Sequence, residues 1–256
     1  MYIQSFDVDI EKEGMYLVDV GWKGTIQDNI FKFLGEKIEV VGLYLGLVAL
    51  GKEHVRNRKI GLVFQCTDGR SAYFNVYNEN KSIFEIILGA SHGSADSYVR
   101  VGNQIKVKTA EQEKEAELFR TLISPIQNHI YSIFKELKDE LEIRMYDIDE
   151  LDETWARLHA NMVYFPTKDQ IELFYKIYHF ENFGVFEFTK FKTQDKVSLL
   201  KRVNSIGLLI TDHGKFFATS FWGVIALKDA GLSFLIKVYG KYKYKRYFLR
   251  ERENNK

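Results

Sequence analysis

The sequence predicts an α/β fold with a mostly parallel sheet and a helical second half. Short apolar runs that fit buried strands alternate with a helix-forming segment before residue 110. A strand, a crossover helix and a second strand form the unit that builds a parallel sheet. After residue 110 the apolar residues recur at helical spacing. We therefore expect an α/β part over residues 1–110 and a mostly helical part over residues 111–256, joined as one continuous globular unit.

The first elements are a strand, a glycine loop and a helix. Residues 15–20 form an apolar run with β-branched side chains, and Gly21-Trp22-Lys23-Gly24-Thr25 follows it. Apolar residues at helical spacing predict a helix over residues 26–36 that ends at Gly35. Further apolar runs predict strands over residues 37–47, 59–66 and 71–77.

The later elements are mostly helical. The pattern predicts a short helix over residues 82–88 and a β-hairpin that turns at Gly102-Asn103. One long amphipathic helix is expected over residues 111–141, and Pro125 should kink or split it. Further helices are predicted over residues 155–159 and 167–179, and a strand over residues 185–191.

Composition excludes several classes of protein. The 256 residues contain 36 Lys and Arg against 35 Asp and Glu, and this near balance argues against a general nucleic-acid binder. The single cysteine, Cys66, excludes an intramolecular disulfide framework, and its place beside an apolar strand predicts a buried side chain. The six histidines have no ligand spacing, so no metal-binding residue is predicted. Without a secretory signal or a credible membrane span, we expect a cytoplasmic protein.

The segment 18–27 predicts a phosphate site. A glycine loop between a strand and a helix directs backbone N–H groups and the positive end of the helix dipole at one point. Gly21 and Gly24 permit close approach, Lys23 adds charge, and the Thr25 hydroxyl caps the helix or binds an oxyanion. Asp19, at the end of the strand, is placed to hold a sugar hydroxyl or a metal ion. The alternative is a tight structural turn with a threonine cap.

A second candidate group follows the short helix. Glu85 precedes a loop of small residues in which His92 is free to present its ring and exchange a proton with an acceptor hydroxyl. Ser94 and Tyr98 follow it closely. Arg70, in an Asp-Gly-Arg turn, is a further anion contact. The alternative is that His92 is an ordinary surface residue.

The carboxyl-terminal segment is strongly basic. Residues 237–256 contain eight Lys or Arg and two Glu, with tyrosine and phenylalanine interleaved. Cations with interfacial aromatic residues suit an anionic membrane surface, at the inner face of the membrane for a cytoplasmic protein. The alternative is a solvated helix end.

Four blocks of the sequence resemble a known type of region. They are LVDVGWKGTIQ (17–27), GLYLG (42–46), FEIILGASHGSxxxY (84–98), and WARL (155–158) with FPTKDQIEL (165–173). Their order and spacing resemble the region that follows a haloacid-dehalogenase-like phosphatase domain in bacterial polysaccharide-biosynthesis proteins. The similarity spans roughly residues 13–235. No phosphatase nucleophile motif is found, so phosphatase activity is not carried over.

The first block is also similar, in shortened form, to the 5-phosphate loop of type I phosphoribosyltransferases. That resemblance implies a phosphoribosyltransferase-like or Rossmann-like sheet. It also implies a glycosyltransferase that moves 5-phosphoribose from phosphoribosyl pyrophosphate to a glycan of a capsule or lipopolysaccharide. Those enzymes have two adjacent acidic residues before the loop, whereas here Asp19 is followed by Val20.

The resemblance implies a role for each candidate residue. The predicted catalytic residues are Asp19, which would bind the ribose hydroxyls, and Glu85 with His92, which would serve the acceptor or the pyrophosphate. The predicted substrate-binding residues are Gly21, Trp22, Lys23, Gly24, Thr25, Gln27, Arg70, Ser94 and Tyr98.

The resemblance also implies a cofactor and partners. Mg²⁺ would clamp the diphosphate, a glycan or lipid-linked glycan would be the acceptor, and a separate phosphatase would act afterwards. Two alternatives stay open, a nucleotide-sugar-dependent glycosyltransferase and a non-catalytic phosphosugar-binding partner of a glycan-assembly enzyme.

Overall fold

The chain is a mixed α/β protein with a three-stranded parallel sheet, as the predicted α/β class requires. The phosphoribosyltransferase-like or Rossmann-like type of the sheet stays a prediction. The computed structural model describes residues 2, 8–67, 73–102, 104–110, 113–144, 146–176, 178–181, 187–190, 197–218, 220 and 222–254. Two compact units divide the chain. The first comprises Met1–Phe74 and Ile87–Ile130, and the second comprises Asn75–Ile86 and Tyr131–Lys256.

The first unit is built around the parallel sheet. Its strand order is β1-β2-β3, and β2 is central and the most buried of the three. Helix α2 connects β1 to β2, as the alternation of apolar runs predicted. A short helix α1 precedes the sheet, and an antiparallel hairpin of β4 and β5 follows it along the chain. The elements are α1 (Ile10–Glu13), β1 (Met15–Asp19), α2 (Thr25–Phe33), β2 (Val40–Leu47), β3 (Asn57–Gln65), β4 (Ala95–Val101) and β5 (Gln104–Thr109).

The predicted fourth strand over residues 71–77 is wrong. Within the described residues, this stretch contains helix α3 (Phe74–Asn78), and α4 (Ser82–Ile87) follows as predicted. Tyr73, Val76 and Tyr77 are buried, and their spacing is that of one helical face. The prediction of a buried Cys66 is also wrong: β3 ends at Gln65, and the Cys66 side chain is exposed.

The long helix is interrupted next to Pro125, as predicted. It runs as α5 (Glu113–Leu118), a π segment (Phe119–Ile123) and α6 (Ser124–Ile143). The Ser124 N–H donates to the Phe119 carbonyl, five residues back, directly before the proline that has no N–H to donate. The α-helical hydrogen bonding is therefore split at this point.

The second unit is mostly helical and packs around Trp222. The Trp222 indole N–H donates to the Val163 carbonyl at 2.8 Å, and its ring centroid lies 4.8 Å from that of Phe174. The predicted helix over residues 167–179 ends earlier than expected, and a short strand follows it. The elements are α7 (Ile148–Tyr164), α8 (Lys168–Lys176), β6 (Tyr178–Glu181), β7 (Glu187–Lys190), α9 (Leu199–Thr211), α10 (His213–Phe217), α11 (Gly223–Asp229), a 3-10 turn (Ser233–Leu235), α12 (Ile236–Lys243), a second π segment (Tyr244–Leu249) and α13 (Arg250–Asn254).

None of the helices that the structure describes combines the length and the hydropathy needed to cross a bilayer.

Candidate functional site

The glycine loop lies at the carboxyl edge of the parallel sheet, between β1 and α2. Its backbone is fastened to the end of β2: the Val20 carbonyl accepts from the Gly46 N–H at 3.2 Å, and the Trp22 carbonyl accepts from the Val48 N–H at 2.8 Å. The Trp22 ring stacks near Phe64, with ring centroids 5.7 Å apart. The loop therefore has a fixed position where ligands of parallel α/β sheets bind.

The two glycines of the loop are required by close packing against protein. A Cβ on Gly21 would lie 2.4 Å from the Gly46 carbonyl oxygen, and a Cβ on Gly24 would lie 2.8 Å from the Lys59 side chain. Both glycines also have positive φ angles, 148° and 65°, which residues with a side chain rarely adopt. Their role here is to bring the loop against β2 and β3.

Helix α2 begins without a side-chain cap. Its N-cap is Gly24, which makes no capping hydrogen bond, so the expectation that Thr25 caps the helix is wrong. Thr25 is the first helical residue, and Lys23, Thr25 and Ile26 are all exposed. The first N–H groups of a helix have no partner within the helix, and they carry the positive end of its dipole. The exposed start of α2 therefore has the properties of an anion site.

Gln27, predicted to bind substrate, instead faces the sheet. The side chain is buried, and its Nε2 donates to Asn57 Oδ1 at 2.7 Å and to the Arg58 carbonyl at 2.9 Å. Its Oε1 accepts from the Tyr44 hydroxyl at 2.8 Å. A Cβ on Gly42 would overlap this amide, so the strand keeps a glycine there to make room for it. Gln27 is thus a polar core residue in this structure.

A buried ion pair continues this network. Lys59 Nζ lies 2.8 Å from Asp28 Oδ2 and 2.7 Å from Asp28 Oδ1, and it also donates to the Leu50 carbonyl at 2.6 Å. Asn57 Nδ2 donates to Asp28 Oδ1 at 2.7 Å. These bonds fix the first turn of α2 to β3 and to the connection between β2 and β3.

Asp19 is an exposed carboxylate at the end of β1, in register with Tyr44 on β2. Burial, followed by the negative charges of Asp19 and Asp28, raises the pKa of Tyr44 to about 12. The Tyr44 hydroxyl therefore keeps its proton and remains a donor to Gln27. Asp19 itself lies beside the glycine loop, where the sequence predicted a contact to a sugar hydroxyl.

A cleft of about 450 Å³ lies along the connection from β2 to β3, and none of the loop residues 20–25 is among its lining residues. Lys59, which lines the cleft, packs against Gly24, and Gly51 approaches the Lys23 carbonyl. Lys52, His54 and Arg58 line it as well. Glu53 is an acidic residue of the same lining, and Arg58 and Lys59 are paired with Glu39 and Asp28. From the sequence this stretch was predicted only as a charged loop.

The residues of the second predicted group belong to two different units. His92 and Ser94 are exposed at the base of the β4–β5 hairpin in the first unit, where the Ser94 carbonyl accepts from the Ala110 N–H at 2.9 Å. Tyr98 is exposed on β4, and its ring centroid lies 4.9 Å from that of Tyr2. Glu85 lies on α4 in the second unit. Arg70 lies outside the described residues.

No group of three or more His, Cys, Asp or Glu residues that would hold a metal ion occurs in the described part of the chain. Comparison with known proteins adds no family: no protein-family model matches the chain, and no curated protein is significantly similar to it.

Proposed function

We propose that the protein is a glycosyltransferase of bacterial surface-polysaccharide assembly that transfers 5-phosphoribose from phosphoribosyl pyrophosphate to a glycan acceptor. One observation carries the proposal: a fixed glycine loop at the carboxyl edge of a parallel sheet leads into a helix whose amino terminus is uncapped and exposed. Such a terminus binds phosphate groups. Residues 17–25 are similar to the 5-phosphate loop of type I phosphoribosyltransferases, so the bound phosphate in this proposal is the 5-phosphate of the donor sugar. The proposal also includes a sheet of the phosphoribosyltransferase type.

In this proposal the loop holds the sugar phosphate. The backbone N–H groups of Thr25 and Ile26, the Thr25 hydroxyl and the Lys23 ammonium would bind its oxygens, since all three residues are exposed. The Asp19 carboxylate would accept hydrogen bonds from the ribose hydroxyls. The adjoining cleft of about 450 Å³ falls within the range of small-molecule sites, roughly 300–1,000 Å³, and would receive the remainder of the donor.

The chemistry follows from the donor. The bond from ribose C1 to the diphosphate oxygen breaks, the acceptor oxygen bonds to C1, and the acceptor's hydroxyl proton passes to a base. The transition state resembles an oxocarbenium ion, so positioning of the sugar and compensation of the leaving diphosphate charge lower the barrier. Glu85 and His92 keep their predicted assignment to the acceptor or pyrophosphate side, and single substitutions test each of them.

Mg²⁺ fits this site as an ion that arrives with the diphosphate. Mg²⁺ is usually bound by one or two carboxylates together with substrate phosphates, and Asp19 is an exposed carboxylate beside the loop. The second nearby carboxylate, Asp28, is engaged by Lys59 and Asn57. When bound, the ion would offset negative charge on the diphosphate.

The test is pyrophosphate release by the purified chain. The protein is mixed with phosphoribosyl pyrophosphate, Mg²⁺ and a panel of oligosaccharide acceptors, and with nucleotide sugars in parallel. Acceptor-dependent pyrophosphate release supports the proposal. Turnover with a nucleotide sugar alone would select the nucleotide-sugar-dependent transferase instead. Donor binding without turnover by any acceptor would select the non-catalytic phosphosugar-binding partner.

Two variants connect that activity to the loop. Lys23→Ala should weaken donor binding about tenfold or more, because a charge-assisted hydrogen bond contributes roughly 1.5–3 kcal/mol. Lys32→Ala is the matched control, since Lys32 is an exposed lysine at the other end of the same helix. Equal donor affinity in the two variants would remove the glycine loop from the site.

A further inference from the structure

The carboxyl-terminal helical segment Ile236–Asn254 separates its residues onto two sides. It runs without a break through α12, the second π segment and α13. On one side Gly240 and Phe248 are buried in the second unit, and the Tyr239 hydroxyl donates to Glu79 Oε1 at 2.9 Å. The basic tail predicted from the sequence is therefore partly an internal element of this unit.

The opposite side, here called the outer face, is cationic and exposed. Its positions recur in pairs every four residues along the helix, which is the spacing of a single helical face. Five of them are Lys or Arg, and among the described residues none of these five takes part in an ion pair within 4.0 Å. The outer face consists of Lys237, Val238, Lys241, Tyr242, Lys245, Arg246, Leu249 and Arg250.

The cations on the inward side of the same helix do have acidic partners. Lys243 Nζ lies 2.9 Å from Glu79 Oε2, and Arg252 Nε lies 2.9 Å from Glu153 Oε1. Lys243, whose side chain is 20% exposed, and Arg252, whose side chain is 40% exposed, are thus both paired. The outer face carries five Lys or Arg and no acidic residue over about 20 Å of helix, and one of them, Arg246, also donates to the Tyr242 hydroxyl.

Apolar side chains on the outer face narrow the choice of partner. Val238 is 64% exposed and Tyr242 is 55% exposed, and Phe234, in the turn that precedes the helix, is 69% exposed. A helix that lies in a membrane interface combines basic residues with apolar ones that enter the boundary of headgroups and acyl chains. A nucleic acid would use the cations and would stack its bases on Tyr242 and Phe234, but the exposed aliphatic side chain of Val238 offers it no stacking surface.

We propose that the outer face docks onto the surface of an anionic phospholipid bilayer. The cations would bind the lipid phosphates, and Val238, Tyr242 and Phe234 would enter the interface between headgroups and acyl chains. The inference rests on the carboxyl-terminal helix alone and is independent of the proposed transferase activity. It would place the protein on the surface where a lipid-linked acceptor is found.

The experiment measures co-sedimentation of the full chain with vesicles. Large unilamellar vesicles of phosphatidylglycerol and phosphatidylethanolamine are compared with vesicles of phosphatidylcholine, at low and high salt. The outer-face variant is Lys237→Gln/Lys241→Gln/Lys245→Gln. The matched control is Lys135→Gln/Lys168→Gln/Lys215→Gln, which removes three exposed lysines from elsewhere in the same unit. Circular dichroism and thermal unfolding establish that both variants are folded.

We expect binding to the anionic vesicles that weakens with salt, and little binding to phosphatidylcholine. Each neutralised cation should lower the partition coefficient for anionic vesicles about fivefold. The partition coefficient of the outer-face variant should therefore fall roughly 100-fold, and that of the control variant should fall far less. Val238→Ser should weaken binding without altering its salt dependence.

Three results would overturn the inference. They are no binding to anionic vesicles, an equal loss of vesicle binding in the two triple variants, or binding to phosphatidylcholine vesicles as strong as binding to anionic ones. Tight binding to RNA that also depends on the outer-face lysines but not on Val238 would assign the face to a nucleic acid instead.

Discussion

Lys59 brings a full positive charge into the interior of the first unit. Its side chain is 3% exposed, and its ammonium group is held by Asp28 and the Leu50 carbonyl. Removing one partner of a buried pair leaves an uncompensated charge, which costs far more than the pair contributes when intact. Lys59→Met should therefore lower the free energy of unfolding by about 3–5 kcal/mol.

Denaturant unfolding measures this effect, and the double variant Asp28→Leu/Lys59→Met is the informative comparison. It should recover much of the loss, because no buried charge is left unpaired. Lys52→Met, at an exposed position beside the same cleft, should stay within about 0.5 kcal/mol of the parent protein. A double variant as unstable as Lys59→Met alone would contradict this account of the pair.

His159 should make the stability of the second unit depend on pH. Burial lowers the pKa of His159 below its ordinary value, partly opposed by the contact of its Nε2 with the Glu79 carbonyl at 3.0 Å. The unfolded chain then binds a proton that the folded one does not, so the free energy of unfolding falls as the pH drops below about 6.5. His159→Gln should flatten this slope.

Chemical denaturation at a series of pH values between 5 and 8 tests the prediction. His129→Gln is the control, because His129 is an exposed histidine of the long helix. The account of His159 would be wrong if both variants retained the slope of the parent protein.

For single residues, the sequence identified which ones are near the glycine loop but not which groups each side chain contacts. Gln27 was assigned to substrate because it follows the loop directly. Its partners Tyr44, Asn57 and Arg58 lie 17 to 31 residues further along the chain. Only the pairing of three strands brings them under α2, so no local pattern could have revealed the buried role of Gln27.

The carboxyl-terminal helix has one side that packs inside the second unit and an opposite side that is exposed. Lys243 faces inward to Glu79, and its ammonium group also lies 4.9 Å from the Tyr247 ring centroid, whereas Lys241 is exposed. Lys243→Met should lower the free energy of unfolding by about 2–3 kcal/mol, since it leaves the mostly buried Glu79 without its cation. Lys241→Met should be nearly neutral for stability. Thermal and denaturant unfolding of the two variants would contradict this assignment if their losses were equal.

The predicted secondary structure is correct where the local residue pattern and the tertiary packing favour the same element. Strands β1, β2 and β3 are apolar runs, and their prediction as strands is confirmed. The expectation that β1 is buried is wrong, because Tyr16 is 67% and Val18 is 81% exposed. Residues 71–77 were assigned to a strand because Tyr, Phe and Val favour strands locally. There, packing of Val76 and Tyr77 into the second unit selects a helix, and tertiary context overrides propensity.

For the whole molecule, the second unit is assembled from two separate stretches of chain. The segment Asn75–Ile86 supplies buried Val76, Tyr77 and Ile83, and also Glu79, which binds Tyr239 and Lys243. A fragment of residues 131–256 lacks all of these groups. It should therefore unfold at a much lower temperature than the second unit of the intact chain, or without cooperativity.

Thermal melts followed by circular dichroism test this prediction. Adding a synthetic peptide of residues 73–88 should raise the melting temperature of the fragment, since a partner that binds only the folded state stabilises it. A scrambled peptide of the same composition is the control. Identical melts with the two peptides would show that the segment is not part of the cooperative unit.

The division into units could not be predicted from the sequence, because no glycine-rich or proline-rich linker marks it. The parallel sheet and the position of the glycine loop were predictable, because both follow from the order of apolar runs and glycines. The cleft beside the loop was not, because it depends on how the connection between β2 and β3 folds against α2.

The central claim is that the exposed amino terminus of α2 binds the phosphate of a sugar donor. The most direct measurement is the set of backbone amide chemical shifts of Lys23, Thr25 and Ile26 in the ¹⁵N-labelled protein during titration with phosphoribosyl pyrophosphate and Mg²⁺. The account predicts saturable shifts of these amides at a donor concentration that rises about tenfold in Lys23→Ala. Saturable shifts elsewhere in the protein, with these three amides unmoved, would contradict it.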